Sequence, residues 1–139
     1  MILGLGSDIC DIRRIEQALD RFGERFIRRV FTAPEIARAE RRSGKMRTGT
    51  YAKRFAAKEA CAKALGTGFA RGVYMSDLSV VNLRGGQPTM LLSNGAAARL
   101  AQLTPAGMRT RLDLTMTDEY PYAYAQVIIS AVAETGARP

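Results

Sequence analysis

The segment Arg54-Phe-Ala-Ala-Lys58-Glu59-Ala-Cys-Ala-Lys63-Ala-Leu-Gly66-Thr67-Gly68 sets four charged side chains in a background of alanine. Arg54 and Lys58 stand four apart, as do Glu59 and Lys63, so on a helix each pair projects from one side. A solvated helix with one ion pair and a glycine stop is the plainest account of that spacing. The alanines weigh against it, because a solvated helix gains nothing by shedding bulk around its charges. They let other backbone approach closely instead. Asp8 is the second candidate: a carboxylate leaving the apolar segment Met1–Ile9 either caps a helix starting near Asp11 or ligates a hard metal. The chain has no histidine, which removes the commonest proton shuttle and transition-metal ligand. Catalysis here must use carboxylates, lysines or an oxygen-ligated cation such as magnesium. Two glycine patterns fall short of phosphate-binding motifs. Gly4-Leu-Gly6 lacks the third glycine of a dinucleotide fingerprint, and Gly66-Thr67-Gly68 follows its helix instead of preceding one.

Those residues need a scaffold, and 139 residues suffice for a single domain spanning 1–139. The net charge of +8 is uneven: Arg13 to Lys63 carries 15 basic and 6 acidic residues, the remainder 6 basic and 7 acidic. The first half therefore presents a positive surface suited to an anionic partner. No apolar run is long enough for a membrane span, and the N-terminus lacks a signal-peptide pattern, so a cytoplasmic protein is expected. Cys10 and Cys61 have no metal-ligand spacing and read as buried thiols.

Met1–Ile9 reads as a strand. Ile12, Ile15, Leu19, Phe22, Phe26 and Val30 then recur every three or four residues, the mark of one amphipathic helix, or of two if Gly23 breaks it. Thr32-Ala-Pro-Glu35 caps a short helix to about Arg42, and Ser43-Gly44-Lys45 reads as a loop. A helix over Tyr51–Leu65, a hairpin of Asp77–Leu83 with Thr89–Leu92, a helix capped by Asn94 through Leu103, and strands over Thr110–Thr117 and Tyr122–Val132 follow. The fold class is α+β, with helices packed on an antiparallel sheet.

Taken together, Gly4-Leu-Gly6-Ser-Asp8-Ile9 through Arg14-Ile15 and the later Phe55-Ala-Ala-Lys58-Glu59-Ala…Lys63-Ala-Leu-Gly66-Thr67-Gly68 resemble the holo-acyl-carrier-protein synthase family, the short bacterial type of phosphopantetheinyl transferase. The resemblance runs nearly the whole chain, ending in Glu119-Tyr120 and Ala125–Ile129. It implies transfer of 4'-phosphopantetheine from coenzyme A to a serine of an acyl carrier protein, releasing adenosine 3',5'-bisphosphate. It also implies a homotrimer with its sites in the clefts between subunits. Asp8 and Glu59 match the family's magnesium ligands, and Lys63 matches a lysine beside the reacting phosphate. Arg54, Lys58, Gly66, Thr67 and Gly68 match positions along the nucleotide. One departure is clear: where many members carry Ser-x-x-His on the penultimate strand, this chain has Asp113-Leu-Thr-Met116. Carriers of fatty acid biosynthesis and of secondary pathways are both left open.

On a helical wheel Arg14, Arg21, Arg25 and Arg28 form a stripe beside the apolar seam. Arg14, Arg21 and Arg25 are expected to dock an acidic carrier, whereas Arg28, Arg29, Arg41 and Arg42 read as a solvated face. A basic nucleic-acid-binding module is the rival from another class. It is disfavoured because two of its three aromatics, Phe22 and Phe26, fall on the seam and no base-reading motif accompanies them. Neither nucleic acid nor membrane is expected as a partner.

Overall fold

The alanine-rich helix lies across a three-stranded antiparallel sheet and crosses it closely enough to exclude side chains. In the computed structural model, which describes residues 1–134, the order is β1 (Ile2–Asp11), α1 (Ile12–Phe22), α2 (Glu24–Val30), α3 (Ala33–Glu40), α4 (Gly44–Leu65), a 3-10 turn (Met75–Asp77), β2 (Leu78–Asn82), β3 (Pro88–Leu92), α5 (Asn94–Leu103), β4 (Met108–Glu119) and β5 (Tyr122–Ala133). The sheet order is β1-β5-β4, and β2 and β3 form a separate two-stranded sheet. The expected α+β architecture is observed, with two sheets in place of one. The hairpin leans on β4 through the Thr89 hydroxyl, which donates to Leu112 O at 3.1 Å.

Period-two alternation buries Ala123, Ala125, Val127, Ile129 and Ala131 of β5 on the face under α4. Ala56, Ala57, Ala60, Cys61 and Ala64 meet them from the helix. A Cβ built on Gly4 would overlap Ala64 O, and one on Gly6 would overlap Ala60 O. The Gly4-x-Gly6 pair is thus a contact surface for α4. It is the local reason β1 and α4 lie backbone to backbone.

Several expected boundaries move. Asp11 caps α1, accepting from Arg13 N at 3.0 Å, so β1 runs on past Asp8 and that residue is no cap. Gly23, at φ +53, splits the first helical stretch into α1 and α2. The helical wheel drawn across it therefore fails: Ile12 and Ile15 are buried, while Phe22 is 49% exposed. α4 starts at Gly44 rather than Tyr51, and Ser43 occupies its N-cap position. Thr48, Gly49 and Thr50 are poor helix formers, and one bond within the helix and one to α3 hold this stretch. The Thr50 hydroxyl donates to Met46 O at 2.8 Å, and Tyr51 donates to Glu40 at 2.6 Å. Ser93 takes the N-cap position of α5, and the amide of Asn94 reaches Asp77 Oδ1 at 3.0 Å instead of capping.

Candidate active site

Asp8 leaves β1 on the same face as Gly4 and Gly6, so it is directed along α4 as those glycines are. There it meets Lys63: Nζ lies 3.2 Å from Asp8 Oδ1 and donates to Ser7 O at 2.9 Å. Glu59 is one helical turn earlier on the same side. Its carboxyl is held above the ordinary carboxylate range, first by burial and then by the charge of Asp8, against smaller opposing effects of Lys63 and Arg14. Burial, and after it Asp8, also pushes the Cys10 thiol up to about 11, which leaves it a protonated and inert neighbour. Asp8, Glu59 and Lys63, which the family resemblance implies share one site, stand together in the fold.

These donors fit a hard divalent cation. Two mutually repelling carboxylates, one of them reluctant to ionise, gain from a cation between them. Among the described residues no group of three or more His, Cys, Asp or Glu side chains could hold a metal. Two oxygen donors alone would leave the other positions of a bound magnesium to phosphate and water, as magnesium sites commonly do.

The residues matched to the nucleotide divide. Arg54 is 4% exposed, donates to Thr50 O at 3.3 Å, and leaves its Nε without a partner among the described residues. It lines a cavity of about 180 Å³ with Arg38, Arg42, Lys53 and Met116. Burial, then Arg38, works against the Arg54 charge. Lys53 is paired with Asp118 at 3.2 Å, so Arg38, Arg42 and Arg54 give this opening its excess positive charge, which favours an anion. Arg42, read from sequence as a solvated arginine, belongs to it. So does Met116, which brings neither charge nor hydrogen bond to the position where many members carry histidine.

Lys58 requires correction. It is 0% exposed and its Nζ pairs with Glu35 at 2.7 Å, so it is a core residue that cannot reach a ligand. The four-residue spacing from Arg54 gave no warning, because Glu35 lies on another helix. The Gly66-Thr67-Gly68 turn also differs from a phosphate loop. The Gly66 and Gly68 amides donate to Lys63 O and Ala62 O at 3.0 and 3.1 Å, so both are spent closing α4. Arg99, absent from the sequence reading, braces this turn by donating to Leu65 O at 2.9 Å.

Arg14, Arg21 and Arg25 are all exposed. Arg25 lines a groove of about 240 Å³ with Phe22, Phe26 and Arg29. The break at Gly23 turns Phe22 out of the core and into this groove. It also gives Arg29 a place beside Arg25.

Comparison with known proteins agrees with this arrangement. Residues 4–125 match the model of the 4'-phosphopantetheinyl transferase superfamily, and the chain belongs to that family. Among curated relatives, it is 74% identical over 132 residues to the holo-[acyl-carrier-protein] synthase of Granulibacter bethesdensis, covering 95% of this chain and 91% of that one. It is 60% identical to the same enzyme of Agrobacterium fabrum, covering 98% and 100%. The fold matches the crystal structure of holo-[acyl-carrier-protein] synthase from Neisseria meningitidis with a TM-score of 0.79 at 32% identity, covering 94% and 99%. It matches that from Bacillus anthracis, in complex with CoA (3',5'-ADP), with a TM-score of 0.72 at 33% identity, covering 93% and 96%.

Proposed function

We propose that this protein transfers the 4'-phosphopantetheine arm of coenzyme A, with magnesium, to a serine of an acidic acyl carrier protein, releasing adenosine 3',5'-bisphosphate. The observation that carries this reading is the convergence of Asp8 from β1 with Glu59 and Lys63 from α4. Phosphoryl transfer needs positioning and charge neutralisation more than a protein nucleophile. Asp8 and Glu59 would hold magnesium, which when bound neutralises the pyrophosphate. The half-exposed Lys63, held by Ser7 O and Asp8, stands beside them to offset charge that develops on the transferring phosphate. The cavity lined by Arg54, Arg38, Arg42 and Lys53 takes further anionic groups of the nucleotide. The serine oxygen forms its bond to the pantetheine-side phosphorus as the bridging bond to adenosine bisphosphate breaks. Its proton passes to a base other than histidine.

The carrier is read as docking on α1 and α2, where Arg25 and Arg29 line an apolar groove with Phe22 and Phe26, Arg21 lies over the Phe22 ring at 5.3 Å, and Arg14 is exposed on α1. A basic rim around an apolar strip suits an acidic helix, raising the on-rate and fixing orientation. We also read the active form as a homotrimer. Leu5 and Ile9 project from the sheet face opposite α4 and are 59% and 65% exposed. They lie beside Ile128 and Tyr124 of β5, an apolar sheet face of the kind that neighbouring copies cover.

One experiment tests the reading: mass spectrometry of an apo-carrier incubated with the protein, coenzyme A and magnesium. A mass gain of one phosphopantetheine arm, abolished by chelation, is expected; no gain on any acidic carrier would dismiss the activity. In the same assay Arg21→Glu and Arg25→Glu are each expected to raise the carrier KM about tenfold, from lost charge complementarity, and to leave the coenzyme A KM unchanged. Sedimentation at one chain mass under assay conditions would dismiss the trimer alone.

A further inference from the structure

Lys58 and Glu35 form an ion pair in which neither side chain has any exposed surface. All three ammonium protons have acceptors: Glu35 Oε1 at 2.7 Å, Met75 O at 3.1 Å, and Leu78 O. Glu35 accepts in addition from Thr32 N at 2.8 Å and Val80 N at 2.7 Å. One pair therefore joins the start of α3, the middle of α4, the 3-10 turn and β2.

Stability alone is a poor reason for such a pair. Burying two charges is so unfavourable that an uncharged pair of similar volume is often no less stable. What an apolar side chain cannot do is hold the Met75 and Leu78 carbonyls. Those carbonyls end the segment that begins at Gly66-Thr67-Gly68. Its other end is fastened by the Gly68 amide to Ala62 O at 3.1 Å. The segment is thus tied to α4 at both ends, and Lys58 is the later tie. Lys58 also precedes Glu59, about 100° round the helix. Fixing Lys58 inward fixes the roll of α4 that aims Glu59 toward Asp8.

We propose that the Lys58–Glu35 pair is a positioning strut for the transfer site, holding the 66–78 segment on α4 and setting the direction of Glu59. This rests on the coenzyme A reading above and adds two residues that touch no substrate.

The test is the pair of double variants Lys58→Met/Glu35→Gln and Lys58→Gln/Glu35→Gln. Both remove the buried charges and keep the volumes, but only the second retains a donor for the Met75 and Leu78 carbonyls. The first double variant is expected to raise the coenzyme A KM about tenfold with the carrier KM unchanged, and the second to recover at least threefold of that. A folded Lys58→Met/Glu35→Gln protein with a coenzyme A KM within twofold of the parent overturns the strut. Should that variant not fold, amide exchange in Glu35→Gln decides. Faster exchange confined to Met75–Val80 supports the strut; uniform acceleration, or none, overturns it. Absence of transfer by the parent protein would sink the activity, yet the exchange experiment would still decide the strut.

Discussion

Replacing Glu59 by glutamine is expected to lower phosphopantetheine transfer on the order of a hundred- to a thousand-fold, while raising the melting temperature of the metal-free protein at neutral pH. Both effects have one origin. Burial and the charge of Asp8 hold the Glu59 carboxyl above its ordinary range. A carboxyl raised in this way favours the folded state while protonated. That contribution is complete below the ordinary carboxylate pKa and is lost as pH rises through the elevated one. Above that elevated range Glu59 is ionised beside Asp8 and works against folding. The Glu59→Gln change keeps the shape and removes the charge, so the variant's advantage in melting temperature should grow from acid to neutral pH. Magnesium should reverse the order: a cation binding only the folded parent raises its melting temperature with concentration, and the variant has lost half of the protein's ligand pair. Thermal melts across pH, with and without magnesium, alongside the transfer assay, check all of this. Full transfer by the variant would remove Glu59 from the metal site. An unchanged magnesium response would do the same.

Asp8, Glu59 and Lys63 were legible in the sequence only through the family spacing, because local pattern left Asp8 open between cap and ligand and allowed an ion-paired solvated helix for Glu59 and Lys63. The Gly4-x-Gly6 pair and the alanines of α4 were visible too, but only as smallness on two distant segments. That one smallness fits the other is a tertiary fact, fixed where Gly4 and Gly6 abut the Ala64 and Ala60 carbonyls. Lys58 was misplaced for a related reason. A lysine four residues after Arg54 looks solvated until Glu35, 23 positions earlier, is folded against it. The wheel over Arg14 to Arg28 failed at Gly23, whose φ of +53 ends one helix and starts another. Arg38, Arg42 and Lys53 gave no signal of their own, since the cavity they share with Arg54 is assembled from α3, α4, the β2–β3 hairpin and β4. Charge and periodicity find what one element does. They do not find what two elements make between them.

The contact of Gly6 with α4 leads to the second large effect: Gly6→Ala is expected to destabilise the protein by about 3 kcal/mol and to lower its melting temperature by about 10 °C. An added Cβ would overlap Ala60 O and come within 2.8 Å of Ala64 N. Both are backbone atoms of α4, so no rotamer change relieves the overlap. Either β1 lifts or α4 shifts, and interiors packed at crystal-like density do not absorb such a movement locally. Asp8 is two residues along the same face of β1, so any widening draws it away from Glu59 and Lys63. The variant should therefore need more magnesium for half-maximal transfer, even at a temperature where it is fully folded. Gly85→Ala is the control: a Cβ there meets nothing within 4 Å, and its stability should stay within about 0.5 kcal/mol of the parent. If Gly6→Ala melts within about 2 °C of the parent and responds equally to magnesium, the close crossing of β1 and α4 is not what sets the distance from Asp8 to Glu59. If it melts early while the half-maximal magnesium concentration is unchanged, the crossing stabilises the fold without aligning the site. Early melting paired with a weakened magnesium response is the result expected if a strand glycine fixes the reach of a carboxylate two residues away.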